Sequence, residues 1–193
     1  MNKTNTDTKK QEPIGSLDGV TLFRFAHMWR NASSGGVEAY LHNVNSLLLK
    51  RNRMRILQMF LVQESEPRYV EIQKIGRGEI VWIPSVLNSD SEDKMTGIRR
   101  HISRFKDLCC PQRRISHDTL LATLADYKVN LAVFHWISAD SKLILDYLHK
   151  RKVPIAAVNH FENSRLKRHY IKRQISKAQA VGGVSKINVP DFV

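Results

Sequence analysis

The sequence predicts an α/β domain: a Rossmann-like open, mostly parallel sheet with helices on both faces. From residue 19 to the end, short runs of β-branched and aromatic residues alternate with segments of helical period, the order that βαβ units produce. Several of these runs are apolar almost without interruption, as strands covered on both faces are. At 193 residues, with 42% hydrophobic and 25% charged content, the chain is long enough for one such domain with a real core.

The first expected strand is Gly19 to His27. It runs into the turn Ala32-Ser33-Ser34-Gly35-Gly36-Val37-Glu38. Beyond that turn Val37, Tyr40, Leu41, Val44, Leu47 and Leu48 recur at the period of one buried helix face. Ser33 and Ser34 are good residues for a helix N-cap. Met54 to Val62 reads as a second strand. Tyr69 to Ile75 and Glu79 to Ile83, joined by Gly76-Arg77-Gly78, read as two shorter ones. Ser85 to Asp93 reads as a polar loop, and about 97 to 108 as a basic helix ended by Pro111. Ser116-His117-Asp118 opens a helix carrying Leu120, Leu121 and Leu124. Asn130 to Trp136 is a buried-type strand, and Ala139 to Lys150 a helix with Leu143, Ile144, Tyr147 and Leu148 on one face. Pro154 to Asn159, a basic helix over about 163 to 177, and Ala178 to Val184 complete the alternation. Residues 1–18 form a polar lead-in, expected to be disordered and without the apolar core of a signal peptide.

The composition narrows the function classes. No apolar run approaches the roughly 20 residues that cross a bilayer, so the expected location is the cytoplasm, with room for peripheral attachment to the inner face of the membrane. Cys109 and Cys110 are adjacent, a poor arrangement for a structural disulfide or a zinc site, and read as reduced thiols. The chain has 31 Lys and Arg against 18 Asp and Glu, a formal charge of +13. That excess favours an anionic partner: a phosphate-bearing substrate, an acidic membrane or nucleic acid.

In parallel sheets ligands bind outside the carboxyl ends of the strands. Three features fall there: the Gly35-Gly36 turn, His135, and His160 with Phe161-Glu162-Asn163 behind it. The paired glycines leave backbone N–H groups at the positive end of a helix dipole open to an anion. A tight turn that binds nothing would use the same residues. His135 and His160 end consecutive strands and are expected to look into one crevice, although His135 also suits packing against Trp136. No Cys or carboxylate completes a metal site at short spacing.

Gly35-Gly36-Val37-Glu38 resembles the Gly-Gly-Val-Glu opening of family 4-type glycosyltransferases, nucleotide-sugar enzymes of the GT-B fold. Val133-Phe134-His135 is similar to that family's apolar strand ending in His. Pro154-Ile155-Ala156-Ala157-Val158-Asn159-His160 resembles the strand whose terminal His lines the active site, and Ala180 to Ser185 the late strand ending in Val-Ser. The resemblance covers roughly residues 19 to 193, in order. It implies an N-terminal, acceptor-side domain of a retaining enzyme that needs no metal or other cofactor, with the nucleotide-sugar as donor substrate. Gly35 and Gly36 would approach the donor phosphates, and His160 would stand beside the transferring sugar. Glu38, His135, Asn163 and Arg165 would face the acceptor, a saccharide or a lipid-linked one, as in cell-envelope polysaccharide or glycolipid synthesis. Such enzymes hold most of the nucleotide-sugar in a C-terminal donor domain with a Glu-x7-Glu pair. That domain is absent from residues 1–193, so it is expected in cis or trans, and the chain alone is expected to be inactive. Ahead of the glycines this chain has Asn31-Ala32-Ser33-Ser34, where the family often has Pro or Gly.

Two basic clusters remain. Arg99, Arg100, Arg104, Lys106, Arg113 and Arg114 form one. Residues 165–177 hold six Lys or Arg and no acid. They suit an anionic membrane surface. The alternative to the enzyme reading is a basic α/β module that binds nucleic acid or anionic membrane without catalysis. No nucleic-acid-binding motif and no single basic stripe support the nucleic-acid version, and no dinucleotide or P-loop signature is present.

Overall fold

The computed structural model describes residues 16–26, 28, 36–63, 66–87, 115–135, 137, 141–159 and 173–183. Eight strands form one sheet. In chain order the elements are β1 (Thr21–Phe25), α1 (Gly36–Arg51), β2 (Arg55–Gln63), β3 (Glu71–Ile75), β4 (Gly78–Leu87), β5 (Ile115–Ser116), α2 (Asp118–Asp126), β6 (Leu131–Phe134), α3 (Lys142–Lys150), β7 (Ile155–Asn159) and β8 (Ala180–Gly183). The expected α/β class is the observed one.

Across the sheet the strands run β3-β4-β2-β1-β6-β7-β8, with β5 pairing the end of β4. β1, β2, β4, β6, β7 and β8 are mutually parallel; β3 and β5 are antiparallel to β4. Counting only the parallel strands in chain order, the spatial order is 3-2-1-4-5-6, the doubly wound arrangement. The chain grows outward from β1 to β2 and β4, then returns to β1's other side and grows outward through β6, β7 and β8. β1 and β6 therefore flank the point where the winding reverses.

Side-chain alternation sorts the two faces. Phe23 and Phe25 of β1, Leu57 and Met59 of β2 and Phe134 of β6 pack with Leu120 and Leu124 of α2 and Ile144, Leu145 and Leu148 of α3. On the opposite face Leu22 and Ile56 pack with Leu49 of α1, and Ala26 and Met28 with Leu41. Central β2 is buried from Ile56 through Val62, as its unbroken apolar run requires.

The structure corrects several boundaries. β1 is shorter than the expected 19–27, and β4 continues through Leu87 rather than yielding to a loop at Ser85. The buried stripe of α1 is Leu41, Asn45 and Leu49, whereas Tyr40 and Leu47 are about half exposed. A 3.6-residue period fits either stripe, and the contact with β1 selects the one with Asn45. On α3 Leu145 joins Ile144 and Leu148 in the core. The expected basic helix at 97–108, both cysteines and most of the segment 163–177 lie outside the described residues; of the last, 173–175 are helical.

The β3–β4 hairpin is fixed by two glycines. Gly76 has a φ of 59°, and a Cβ there would lie 2.6 Å from the Lys50 Cα. A Cβ on Gly78 would lie 2.5 Å from the Met54 carbonyl oxygen. The hairpin thus closes directly on the carboxyl end of α1, where the Arg77 N–H donates to the Leu49 carbonyl at 2.9 Å.

Candidate functional site at the switch point

The crevice where the winding reverses lies beyond Phe25 and Phe134, which are register partners. The His135 N–H extends that pairing, donating to the Phe25 carbonyl at 2.9 Å. α1 starts at Gly36 on the same side of the sheet end, after the connection from β1. Among the described residues its first-turn N–H groups have no intrahelical acceptor, and they carry the positive end of the dipole of a 16-residue helix. Glu38 sits in that first turn, and Lys50 and Arg51 in the last. A Cβ added at Gly36 would meet nothing within 4 Å. The fold itself does not require glycine at that position.

Of the seven site residues expected from the sequence, three are placed here: Gly36, Glu38 and His135. Gly35, His160, Asn163 and Arg165 lie outside the described residues. β6 and β7 are adjacent and parallel, joined through α3, so the strands that precede His135 and His160 are neighbours, as expected. His135 is 3% exposed. Its ring is in edge-to-face contact with Tyr40, centroids 6.5 Å apart, and the Tyr40 ring is about half exposed.

Sequence reasoning passed over Arg24. In the alternation of β1 it falls between Leu22 and Ala26 on the face that α1 covers, and it is 5% exposed. Its Nη1 donates to Asn45 Oδ1 at 2.6 Å. Gln58, its register partner on β2, donates to the Arg24 and Met59 carbonyls. Among the described residues Arg24 Nε, Asn45 Nδ2 and Gln58 Oε1 are buried without a hydrogen-bond partner. Burial pushes the guanidinium down from its usual value to about 10, against a smaller opposing pull from Tyr40. The legible signal was a lone charge inside an otherwise apolar strand, Val20 to Ala26.

Elsewhere, His117 is buried with Nδ1 3.2 Å from Ser85 Oγ, under Phe25. Among the described residues no three His, Cys, Asp or Glu are grouped to hold a metal. No described helix is long and apolar enough to cross a membrane. The basic cluster at 99–114 lies outside the described residues. In the second cluster Lys177 is engaged with Asp146, and Arg173 is exposed.

No family model matches the sequence, and no curated protein matches it. Solved structures do match its backbone. An alpha,alpha-trehalose-phosphate synthase (UDP-forming) from Burkholderia vietnamiensis aligns with a TM-score of 0.49 at 10% identity, over 90% of this chain and 41% of that one. An E. coli structure described as "Trehalose-6-phosphate from E. coli bound with UDP-2-fluoro glucose" aligns with a TM-score of 0.48 at 13% identity, over 89% and 41%. The chain spans about two fifths of the length of these structures.

Proposed function

We propose that this chain is the acceptor-side half of a nucleotide-sugar glycosyltransferase. The observation that carries the reading is the convergence at the switch point: α1 begins there at a glycine whose missing Cβ leaves open space, and His135 closes the neighbouring strand. An apolar-strand, glycine-turn, helix unit at a sheet's switch point suits an anionic group such as a donor pyrophosphate. Of the residues that resemble family 4-type enzymes, His135 follows the carboxyl end of β6 and Gly36 and Glu38 lie in the first turn of α1, which supports the reading.

In this reading the N–H groups of Gly35 and Gly36 hold the donor phosphates. Arg24, buried with no carboxylate partner among the described residues, adds positive potential beneath α1. His160 hydrogen-bonds near the transferring sugar, and Glu38, Asn163 and Arg165 meet the acceptor around the rim. His135 acts through the Tyr40 ring rather than by open contact. Transfer proceeds with retention and without a metal, and the acceptor is a saccharide or a lipid-linked one at the cytoplasmic face of the membrane. A donor domain, in cis or trans, completes the site.

The test is sugar transfer by the protein purified from its own cells with any partner it holds. Radiolabelled UDP-, GDP-, ADP- and dTDP-sugars are offered with lipid and saccharide extracts of the same cells. Transfer that falls strongly in His160→Ala, with the fold intact, supports the reading. Absence of transfer from every donor would sink it.

A further inference from the structure

A second site lies at the opposite end of the sheet, where the proposed transfer requires none. A groove of about 570 Å³ opens at the amino ends of β1, β2 and β4, within the roughly 300–1,000 Å³ typical of small-ligand pockets. Its walls bring together Arg53, Arg55, Lys74 and Arg77 against a single acid, Glu79. These cations come from three separate stretches: the α1–β2 connection with the start of β2, the end of β3, and the hairpin turn. The turn also draws in the end of α1, since the Arg77 guanidinium donates to the Arg51 carbonyl at 3.2 Å.

Existing partners account for only part of this charge. Arg55 pairs with Glu79 and lies over the Tyr127 ring, 4.7 Å from its centroid. Arg77 is shared between the Arg51 carbonyl and Asp18, the latter at 3.9 Å. Among the described residues Arg53 and Lys74 have no ion-pair partner. Several backbone amides of the groove are already committed: that of Arg53 to Asp18, that of Arg55 to the Val20 carbonyl, that of Glu79 to the Met54 carbonyl. Recognition there falls to the side chains. Convergent like charges repel, and a multivalent anion relieves that repulsion.

We propose that this groove binds a phosphate-bearing ligand through Arg53 and Lys74, with Arg77 at its edge. Arginine matches phosphate oxygens with a planar fork, and lysine adds a point charge. A concave site with cations on several walls suits a pyrophosphate or phosphomonoester, free in solution or on a lipid headgroup. The groove is distinct from the glycine turn of α1. Thr21 lines the groove and Phe25 ends at the crevice, four strand steps or about 13 Å away.

The test titrates inorganic pyrophosphate into the 193-residue protein by calorimetry. In parallel, co-sedimentation is measured with phosphatidylcholine vesicles with and without phosphatidic acid. Wild type, Gly36→Val and Arg53→Ala/Lys74→Ala, the last also in the Gly36→Val background, are compared; Arg53 and Lys74 are exposed, so the double variant keeps the fold. Saturable binding in wild type and Gly36→Val, weakened at least tenfold in the double variant, is expected. Binding of pyrophosphate identifies free phosphate as sufficient. The same pattern confined to phosphatidic acid vesicles places the phosphate on a headgroup. Binding by Gly36→Val that survives the added Arg53→Ala/Lys74→Ala substitutions, or no binding of either probe by Gly36→Val, overturns the proposal; the glycine turn is already blocked in that background, so neither result bears on transfer at the switch point.

Discussion

Replacing Arg24 and Asn45 together by apolar residues of similar size should stabilise the protein. The fall of the Arg24 guanidinium from its usual value to about 10 corresponds to about 3 kcal/mol, at roughly 1.4 kcal/mol per tenfold. That is the penalty of holding a cation beneath α1 where its hydrogen-bond partner is an amide rather than a carboxylate. Arg24→Met alone removes the penalty but strands the Asn45 side chain, at about 1–3 kcal/mol for a buried orphan, so it should be close to neutral. Arg24→Met/Asn45→Leu removes both groups and leaves the Gln58 bonds to backbone carbonyls in place. It should gain about 2 kcal/mol, as replacement of buried charges by apolar side chains often does. In a domain of this size that raises Tm by about 4–8 °C.

Thermal and urea unfolding followed by circular dichroism measure this directly. The pH dependence gives a second check. Above about pH 10 the folded protein releases the Arg24 proton before the unfolded chain does. The unfolded state then binds more protons, and stability rises with pH. The gap between wild type and double variant should therefore be constant near pH 7 and narrow above pH 10. A double variant less stable than wild type by 1 kcal/mol or more, or a gap unchanged at pH 11, would refute the reasoning. If the charge is kept for an anion in the crevice, the stabilised variant should also transfer sugar more slowly, as strained functional sites do when relaxed.

Other substitutions separate fold from function. Gly78→Ala places a Cβ 2.5 Å from the Met54 carbonyl oxygen and should destabilise by about 1–3 kcal/mol, read as a lowered urea midpoint. Tyr40→Ala removes a half-exposed ring and should change stability by less than about 0.5 kcal/mol, while acceptor KM rises; an unchanged KM would separate Tyr40 from the acceptor. The Asp146 carboxyl is pushed up by burial, but its bonds and charge pairing with Lys142 and Lys177 outweigh this and hold it below its usual value. Its contribution is present above the unfolded pKa and is lost as pH falls through the folded one. Asp146→Asn should therefore cost up to about 1 kcal/mol at pH 7 and nothing in strong acid, measured by urea unfolding at both.

The alternation of strand and helix was legible because the central strands are largely apolar and each helix repeats every three to four residues. The order β4-β2-β1-β6-β7-β8 was not, since adjacency depends on which apolar faces meet and no single segment records it. Tyr40 and Leu47 were assigned to the core of α1 because their spacing fits as well as that of Leu41, Asn45 and Leu49. An asparagine on the buried stripe hid the true face, and Arg24, the residue that requires that asparagine, is 21 positions away. The groove escaped notice for a similar reason, its cations being drawn from separate stretches between Arg53 and Arg77. Near the switch point the positions of Gly36 and His135 were legible from strand ends and that of Glu38 from the family resemblance. Tyr40 and Arg24 were not, because their roles follow from what they pack against.

The central claim rests on Gly36, and one comparison tests it most directly: the rate of sugar transfer by wild type and Gly36→Val, each purified from the native host with its partners. A Cβ at residue 36 meets open space in the fold, so the variant should unfold at the wild-type temperature or slightly above. Its transfer rate should fall about 100-fold or more, because the valine side chain holds the phosphate off the residue 36 N–H, and losing one donor to a reacting anionic group is felt on that scale. A variant that folds and transfers at the wild-type rate would contradict the assignment of this turn to the donor phosphates.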